Sequence, residues 1–233
     1  MNDGDILDTD ITFLVREDVN TQVYHLLMKW IVSRKLKPGQ KLSINEIADE
    51  LGVSRSPVHQ AMTRLVSDNL ISVVPRQGYY VVSILKKTVL ETFDVRMALE
   101  IIAAERTLES ISNDEILELR RFMQVTLDTI EGDHFSNREG YIHGNQDFHQ
   151  YQIDLAHNEI LSRTYSQLKM NMIMWRVVNY NRGGVGYVPG EHIELVEAFE
   201  ARNSSRIEKA IRKHIESGKR LALDELDAAG GVI

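Results

Sequence analysis

Between Leu42 and Leu70 two short helical patterns meet at a glycine, and this stretch restricts the fold more tightly than any other. Ser43 and Glu46 have the spacing of a capping box, in which each side chain satisfies the other's orphan backbone N–H. Ile44, Ile47, Ala48 and Leu51 then form an apolar stripe. Gly52 ends this helix, Val53 plugs the angle, and Ser54 stands where the N-cap of a second helix belongs. Pro57 falls in that helix's first turn, where backbone donors have no intrahelical partner. Val58, Met62, Leu65 and Val66 recur at core-facing spacing. The other face keeps Arg55, Ser56, His59, Gln60, Thr63 and Arg64, hydrogen-bonding groups gathered toward the N-terminal half. A merely solvated helix more often shows Glu and Lys pairs four apart. The pattern is that of a helix-turn-helix whose second helix enters the major groove of DNA; the bland alternative is a helical hairpin with an ordinary polar surface.

The flanks complete a larger unit. Ile71–Val74 and Tyr79–Val82 are β-branched or aromatic runs around Pro75-Arg76-Gln77-Gly78, which reads as a hairpin whose tip, with Arg76 and Gly78, suits the DNA backbone or minor groove. Upstream, Val23, Leu26, Leu27, Trp30 and Ile31 form another amphipathic helix, and Pro38-Gly39 closes its trailing loop. Three helices and a hairpin over residues 19–85 make a winged helix-turn-helix. Charge agrees once the chain is divided. The whole carries 27 Lys+Arg against 34 Asp+Glu, net −7, a poor general polyanion binder. Val19 to Lys87, however, holds ten basic and four acidic residues, net +6, which leaves −13 for the remainder. Phosphate contacts therefore belong to the first module.

Residues 1–18 mix acidic residues into a segment with no basic start, so they are expected to be a mobile arm and not a secretory signal. The absence of cysteine excludes a disulfide framework and thiolate chemistry, and no apolar run reaches the ~20 residues of a membrane span, so a cytoplasmic protein is expected. Residues 86–228 read as an all-α bundle of about six helices, with capping boxes at Thr88/Glu91, Ser112/Glu115 and Ser205/Glu208 and no comparable strand signal. The third helix is expected at about Glu139–Ala156 and the fourth, unbroken, at about Asn158–Asn179. A polar stretch, Glu131–Asn137, precedes the third, and a Gly-rich loop, Asn181–Gly190, precedes the fifth and sixth. Asn145 and His149 lie four apart on one helix face; His192 opens the fifth helix and His214 sits midway along the sixth. If those helices are antiparallel neighbours the four converge, and bundle cores are where metal sites are built from facing helices. Spacing alone equally allows four separate hydrogen-bonded residues. His25, His59, His134, His143 and His157 have no partner at useful spacing.

The run LSINEIADELGVSRSPVHQAMTRLVSDNLI followed by PRQGYYV resembles the winged-helix domain of the GntR family of bacterial transcription regulators. The remainder is similar to the all-helical FCD effector domain of its FadR-type branch, through Val95–Glu100, Asn145–His149, His192 and His214. The resemblance implies a divalent metal on Asn145, His149, His192 and His214, with Zn²⁺ favoured by the imidazole count and Ni²⁺ or Mn²⁺ as alternatives. Such domains usually carry Asp where this chain has Asn145, and Asp147 sits ~200° around the helix from the His149 face. A first shell of three imidazoles and an amide oxygen leaves the ion's charge uncompensated, which favours an anionic ligand; it can equally weaken binding until the site works without metal. Two open octahedral positions suit a carboxylate, such as a sugar acid or dicarboxylate. The resemblance also places Arg96 against that carboxylate, with an intrahelical Arg96–Glu100 pair as the plainer alternative. In the winged helix it implies DNA contacts by Arg55 and the wing around Gly78. His59 replaces a usual Arg, and Asn45 stands where some relatives use Arg, so fewer guanidinium forks reach guanine.

The expectation is thus a ligand-controlled repressor, dimeric through its helical domains, with Asn45, Ser54, Arg55, Ser56, His59, Arg64, Arg76 and Gly78 at a palindromic double-stranded operator. Two rivals remain at this level: a helical metalloenzyme with a DNA-binding head, and an architectural DNA-binding protein without an effector.

Overall fold

A computed structural model describes residues 18–108, 110–180 and 188–232. Of the expected arm (1–18) and the expected Gly-rich loop (181–190), residues 1–17 and 181–187 lie outside the described residues, while Asp18 caps α1 and Val188 to Gly190 belong to the start of α9. The chain starts with α1 (Val19–Val32), capped where the Asp18 carboxylate accepts from the Thr21 N–H. Strand β1 (Lys41–Leu42) leads into α2 (Ile44–Leu51) and α3 (Arg55–Ser67). Ser43 Oγ accepts from the Glu46 N–H, and Gly52 takes the left-handed conformation, φ 65°, that ends α2 without a Cβ penalty. Ser54 occupies the N-cap of α3 in extended backbone, but its side chain makes no cap hydrogen bond. The wing is β2 (Ile71–Val74) against β3 (Gly78–Val81), with Arg76 and Gly78 both at positive φ in the turn. Strand β1 adds to the far edge of β3, an element too short to carry a sequence pattern, giving the order β1-β3-β2.

The helical part holds α4 (Lys86–Leu108), α5 (Asn113–Leu127), α6 (Arg138–Asp154), α7 (Glu159–Ser166), α8 (Met170–Tyr180), α9 (Val188–Glu200) and α10 (Ser204–Ala228). The Ser112/Glu115 capping box is present in both directions. The other two are corrected. Helix α4 begins at Lys86, so Thr88 lies inside it, and α10 is capped by Asn203, whose side chain accepts from the Arg206 N–H, ahead of the expected Ser205. The single fourth helix is also two, α7 and α8, because Lys169 turns into the left-handed region at φ 54°. Apolar residues continue across that break and no Gly or Pro marks it, so periodicity runs through it. The polar stretch before α6 contains a hairpin, β4 (Ile130–Glu131) against β5 (His134–Phe135), turned by Gly132-Asp133 with Gly132 at φ 59°.

Helices α4 and α10 run together, with α6, α8 and α9 packed against them and α5 laid on α6 and α9. Gly144 lets α6 approach α5 closely: a Cβ there would meet Thr126 Oγ1 at 3.0 Å and the Thr126 Cα at 3.2 Å. The winged helix does not stand apart from the bundle. Tyr141, Ile142, Trp175 and Val178, from α6 and α8, are buried in the same apolar cluster as Leu27, Met62 and Leu65. Polar ties reinforce the joint. Arg176 donates to the Val82 carbonyl at 2.9 Å, and Arg34 donates to the carbonyls of Ala229 and Val232 at the end of the chain.

Candidate functional site

On the winged helix, Asn45, Ser54, Arg55, Ser56, His59 and Arg76 form a polar surface, and Gly78 is half-exposed at the wing tip. Along α3 this surface is separated from the core side, to which Pro57, Val58, Ala61, Met62 and Leu65 turn. Arg64, also exposed, has partners within the chain. Its guanidinium lies 3.7 Å from the centroid of the Tyr24 ring and donates to Glu139 at 2.7 Å, so Arg64 is tied to the first turn of α6 within the chain. Glu139 also faces His25 Nδ1 at 3.5 Å and His143 Nε2 at 4.0 Å, and the first of these partners comes from a distant segment that sequence spacing cannot reveal.

Inside the bundle α6 presents Asn145 and His149 on one face, one turn apart, while α9 and α10 bring in His192 and His214. All four are buried. The ligand nitrogens of the three imidazoles lie within 4.8 Å of one another. His149 Nε2 and His214 Nε2 are 3.1 Å apart, and His192 Nε2 is 3.0 Å from Asn145 Oδ1. Donors ~2.1 Å from one ion and ~90° apart around it would sit ~3 Å from each other, so these two separations match a first-row divalent metal. Burial lowers the His149 pKa, with Arg96 adding to it, and lowers that of His214 further through burial, His149 and Arg96. Both rings are therefore neutral. A carboxylate stands behind each: Glu100 Oε1 is 3.6 Å from His149 Nδ1, and Glu191 Oε2 is 3.3 Å from His214 Nδ1. The first separation exceeds hydrogen-bond length, and neither pair has hydrogen-bond geometry here, but both favour the tautomer with the proton on Nδ1. The lone pairs of two Nε2 atoms then face each other, an arrangement that a shared cation relieves.

Glu191 is itself fixed by Ser217, which donates to its Oε1 at 2.9 Å. Spacing singles out neither carboxylate as part of the site, although Glu191 adjoins His192 and Glu100 lies four residues after Arg96. Arg96 makes the plainer pairing expected of it and lines a cavity as well. Its Nε donates to Glu100 Oε1 at 2.6 Å, the intrahelical pair, yet the residue also lines a cavity of about 40 Å³ beside Asn145 and His214. Burial alone would disfavour the Glu100 carboxylate, but the Arg96 charge together with His149 and His214 more than offsets this and holds its pKa below the usual range. Arg96 Nη2 is buried with no hydrogen-bond partner among the described residues. The rest of the cavity wall includes Phe93, Phe135, Tyr141, Met174, Val178 and Leu221. Phe135 arrives from the β4–β5 hairpin, a segment whose sequence reads as a polar linker.

Residues 20–81 match the family described as bacterial regulatory proteins, gntR family, and residues 91–217 match the FCD domain. The chain is a GntR-family regulator with an FCD domain. The GntR regulator is 27% identical over 194 residues to YdhC, an uncharacterised HTH-type transcriptional regulator of Bacillus subtilis (strain 168), covering 83% of this chain and 86% of that one. It is 25% identical over 201 residues to the HTH-type transcriptional repressor RspR of Escherichia coli (strain K12), covering 86% and 87%. Among solved structures it shares its fold with E. coli McbR/YncC, with a TM-score of 0.58, 21% identity, and coverage of 90% of this chain and 99% of that one. GntR regulators bind DNA operators and FCD domains bind small-molecule effectors, so the family is one of transcription regulators and not of enzymes, which sets aside the metalloenzyme rival. Among the described residues, no helix is long and apolar enough to cross a membrane.

Proposed function

We propose that this GntR regulator is a repressor that binds a palindromic operator as a homodimer at the nucleoid and releases it when a small carboxylic acid enters the FCD domain. Asn145, His149, His192 and His214 would hold a divalent metal, Zn²⁺ on donor type with Ni²⁺ or Mn²⁺ as alternatives. When bound, that ion supplies a Lewis-acidic positive charge for the acid's carboxylate. Arg96 lies along the same cavity and offers a second carboxylate contact, with Glu100 fixing the direction of its guanidinium.

One observation carries this reading. Phe135, Tyr141, Met174 and Val178 line the cavity on one side and pack with the winged-helix core on the other. A ligand that fills the cavity pushes directly on the surface that seats the DNA head. Helix α6 offers a second path, because Asn145 and His149 lie on the helix whose first turn holds Arg64 through Glu139. Coupling of this kind is typically worth about 1 to 3 kcal/mol. Calorimetric titration of zinc-loaded protein with organic acids, with and without operator DNA, is expected to show reciprocal weakening by about 5- to 150-fold. Equal acid affinity in both states would leave an architectural DNA binder.

The DNA face is tested separately. Arg55→Ala removes the exposed guanidinium at the first position of α3. It is expected to cost roughly 1 to 3 kcal/mol of specific binding and to relax base preference at one operator position. Gel-shift titrations on specific and scrambled duplexes read this directly; an unchanged affinity would remove Arg55 from the base contacts.

A further inference from the structure

We infer that the effector is a short monocarboxylic acid with an apolar tail, and not a polyhydroxylated or polyanionic acid; this rests on the effector reading above and narrows it. The cavity beside Asn145 and His214 has a volume of about 40 Å³. That is room for about three water-sized groups, so even a short acid enters only as the wall moves outward, and a long or bulky one is excluded. Its wall sets the chemistry. The polar side chains lining it are Arg96, Asn145, His214 and Tyr141. Arg96 is already bound to Glu100, Asn145 to His192 and His214 to His149, and the Tyr141 ring packs against Phe135 with centroids 4.6 Å apart. A sugar acid would bring several hydroxyls into this space, and each one set against Phe93, Met174 or Val178 would lose its water without gaining a partner. A second carboxylate fares no better. Among the described lining residues Arg96 is the one cationic side chain, Glu100 offsets its charge, and the first carboxylate takes the two open positions of the divalent ion proposed above. One carboxylate, by contrast, answers the unpartnered Arg96 Nη2. A short hydrocarbon tail then lies on Phe135, Met174 and Val178, the residues that also pack with the winged helix.

The experiment is a calorimetric titration of the zinc-loaded full chain with isobutyrate, gluconate and citrate. Isobutyrate is expected to bind at least about tenfold more tightly than either of the others. Arg96→Gln should weaken it by a similar factor. Met174→Gln, which keeps the side-chain length but adds an amide to the wall, should narrow the gap between isobutyrate and gluconate, and Met174→Leu should restore it. Thermal melts identify any variant that fails to fold. Tighter binding of gluconate or citrate, still lost in Arg96→Gln, overturns the apolar-tail assignment and leaves the carboxylate site standing. No binding of any of the three acids, or binding indifferent to Arg96→Gln, overturns both.

Discussion

Alanine at position 149 is expected to lower zinc affinity by more than ~100-fold, the upper end of what loss of an outer-shell partner costs, because it removes a direct donor. His149 Nε2 is one of the pair of nitrogens 3.1 Å apart at the centre of the cluster. Without it the chain offers two imidazoles and the Asn145 amide oxygen, with no formal negative charge among them. An Asp at position 145 would have softened the loss by supplying a carboxylate. Competition against a chromophoric zinc chelator measures the affinity. Zinc should also raise the melting temperature of the natural chain and not that of His149→Ala, since a ligand that binds only the folded state stabilises it by mass action. His149 is buried, so His149→Gln provides a second variant of closer volume that is expected to lose most of the affinity too. Undiminished zinc binding in either folded variant would take His149 out of the ligand set.

The winged helix is legible in the sequence because local rules fix it: a left-handed Gly52, a periodic apolar face on α3 and a turn between two β-branched runs each act within a few residues. The four converging side chains are legible as a possibility, from Asn145 and His149 one turn apart, but the placement of α9 and α10 that brings in His192 and His214 is a tertiary fact. What stays hidden depends on contacts across the chain or on conformations of single residues. Lys169 breaks a helix by one positive φ that nothing in its side chain announces. The β4–β5 hairpin has a readable Gly132-Asp133 turn, but strands of two residues are too short for alternation to show. Arg64 has the exposure and spacing of a DNA contact, and only Glu139, 75 residues away, reveals its second allegiance. Glu191 has the sequence position of an ordinary first-turn acid, and only the packing of α10 on α9 brings His214 Nδ1 to 3.3 Å from its carboxylate.

Several positions that sequence patterns misplace lie where the two halves of the molecule meet. Arg64 and Phe135 both sit between the DNA head and the bundle, or between the bundle and its cavity. A side chain with two jobs satisfies neither local pattern cleanly: Phe135 sits in a polar stretch, and Arg64, on the polar face of α3, is bonded to Glu139 of α6. That is the behaviour expected of a joint whose packing differs between two states, because its residues answer to both neighbours at once.

Glu100→Ala is expected to destabilise the chain by roughly 3 to 5 kcal/mol, the usual cost of breaking a buried pair from one side. The Arg96 and Glu100 side chains are 4% and 0% exposed, so removal of the carboxylate strands a guanidinium where water cannot solvate it. Glu100 Oε1 also accepts from the Tyr165 hydroxyl at 3.1 Å, so that donor is orphaned as well. In a chain of this size the melting temperature should fall by roughly 10 °C. Replacing both partners with apolar residues of similar size, as in Arg96→Met with Glu100→Leu, should recover most of the loss, since neither charge is then left buried and alone. The comparison separates two roles that the single variant confounds. If the double variant is stable and binds zinc but no carboxylate, the pair is retained for the ligand and not for the fold. A Glu100→Ala chain within about 1 kcal/mol of the original in urea unfolding would mean that Arg96 finds another partner or reaches solvent. The guanidinium would then not be held in place for an effector at all.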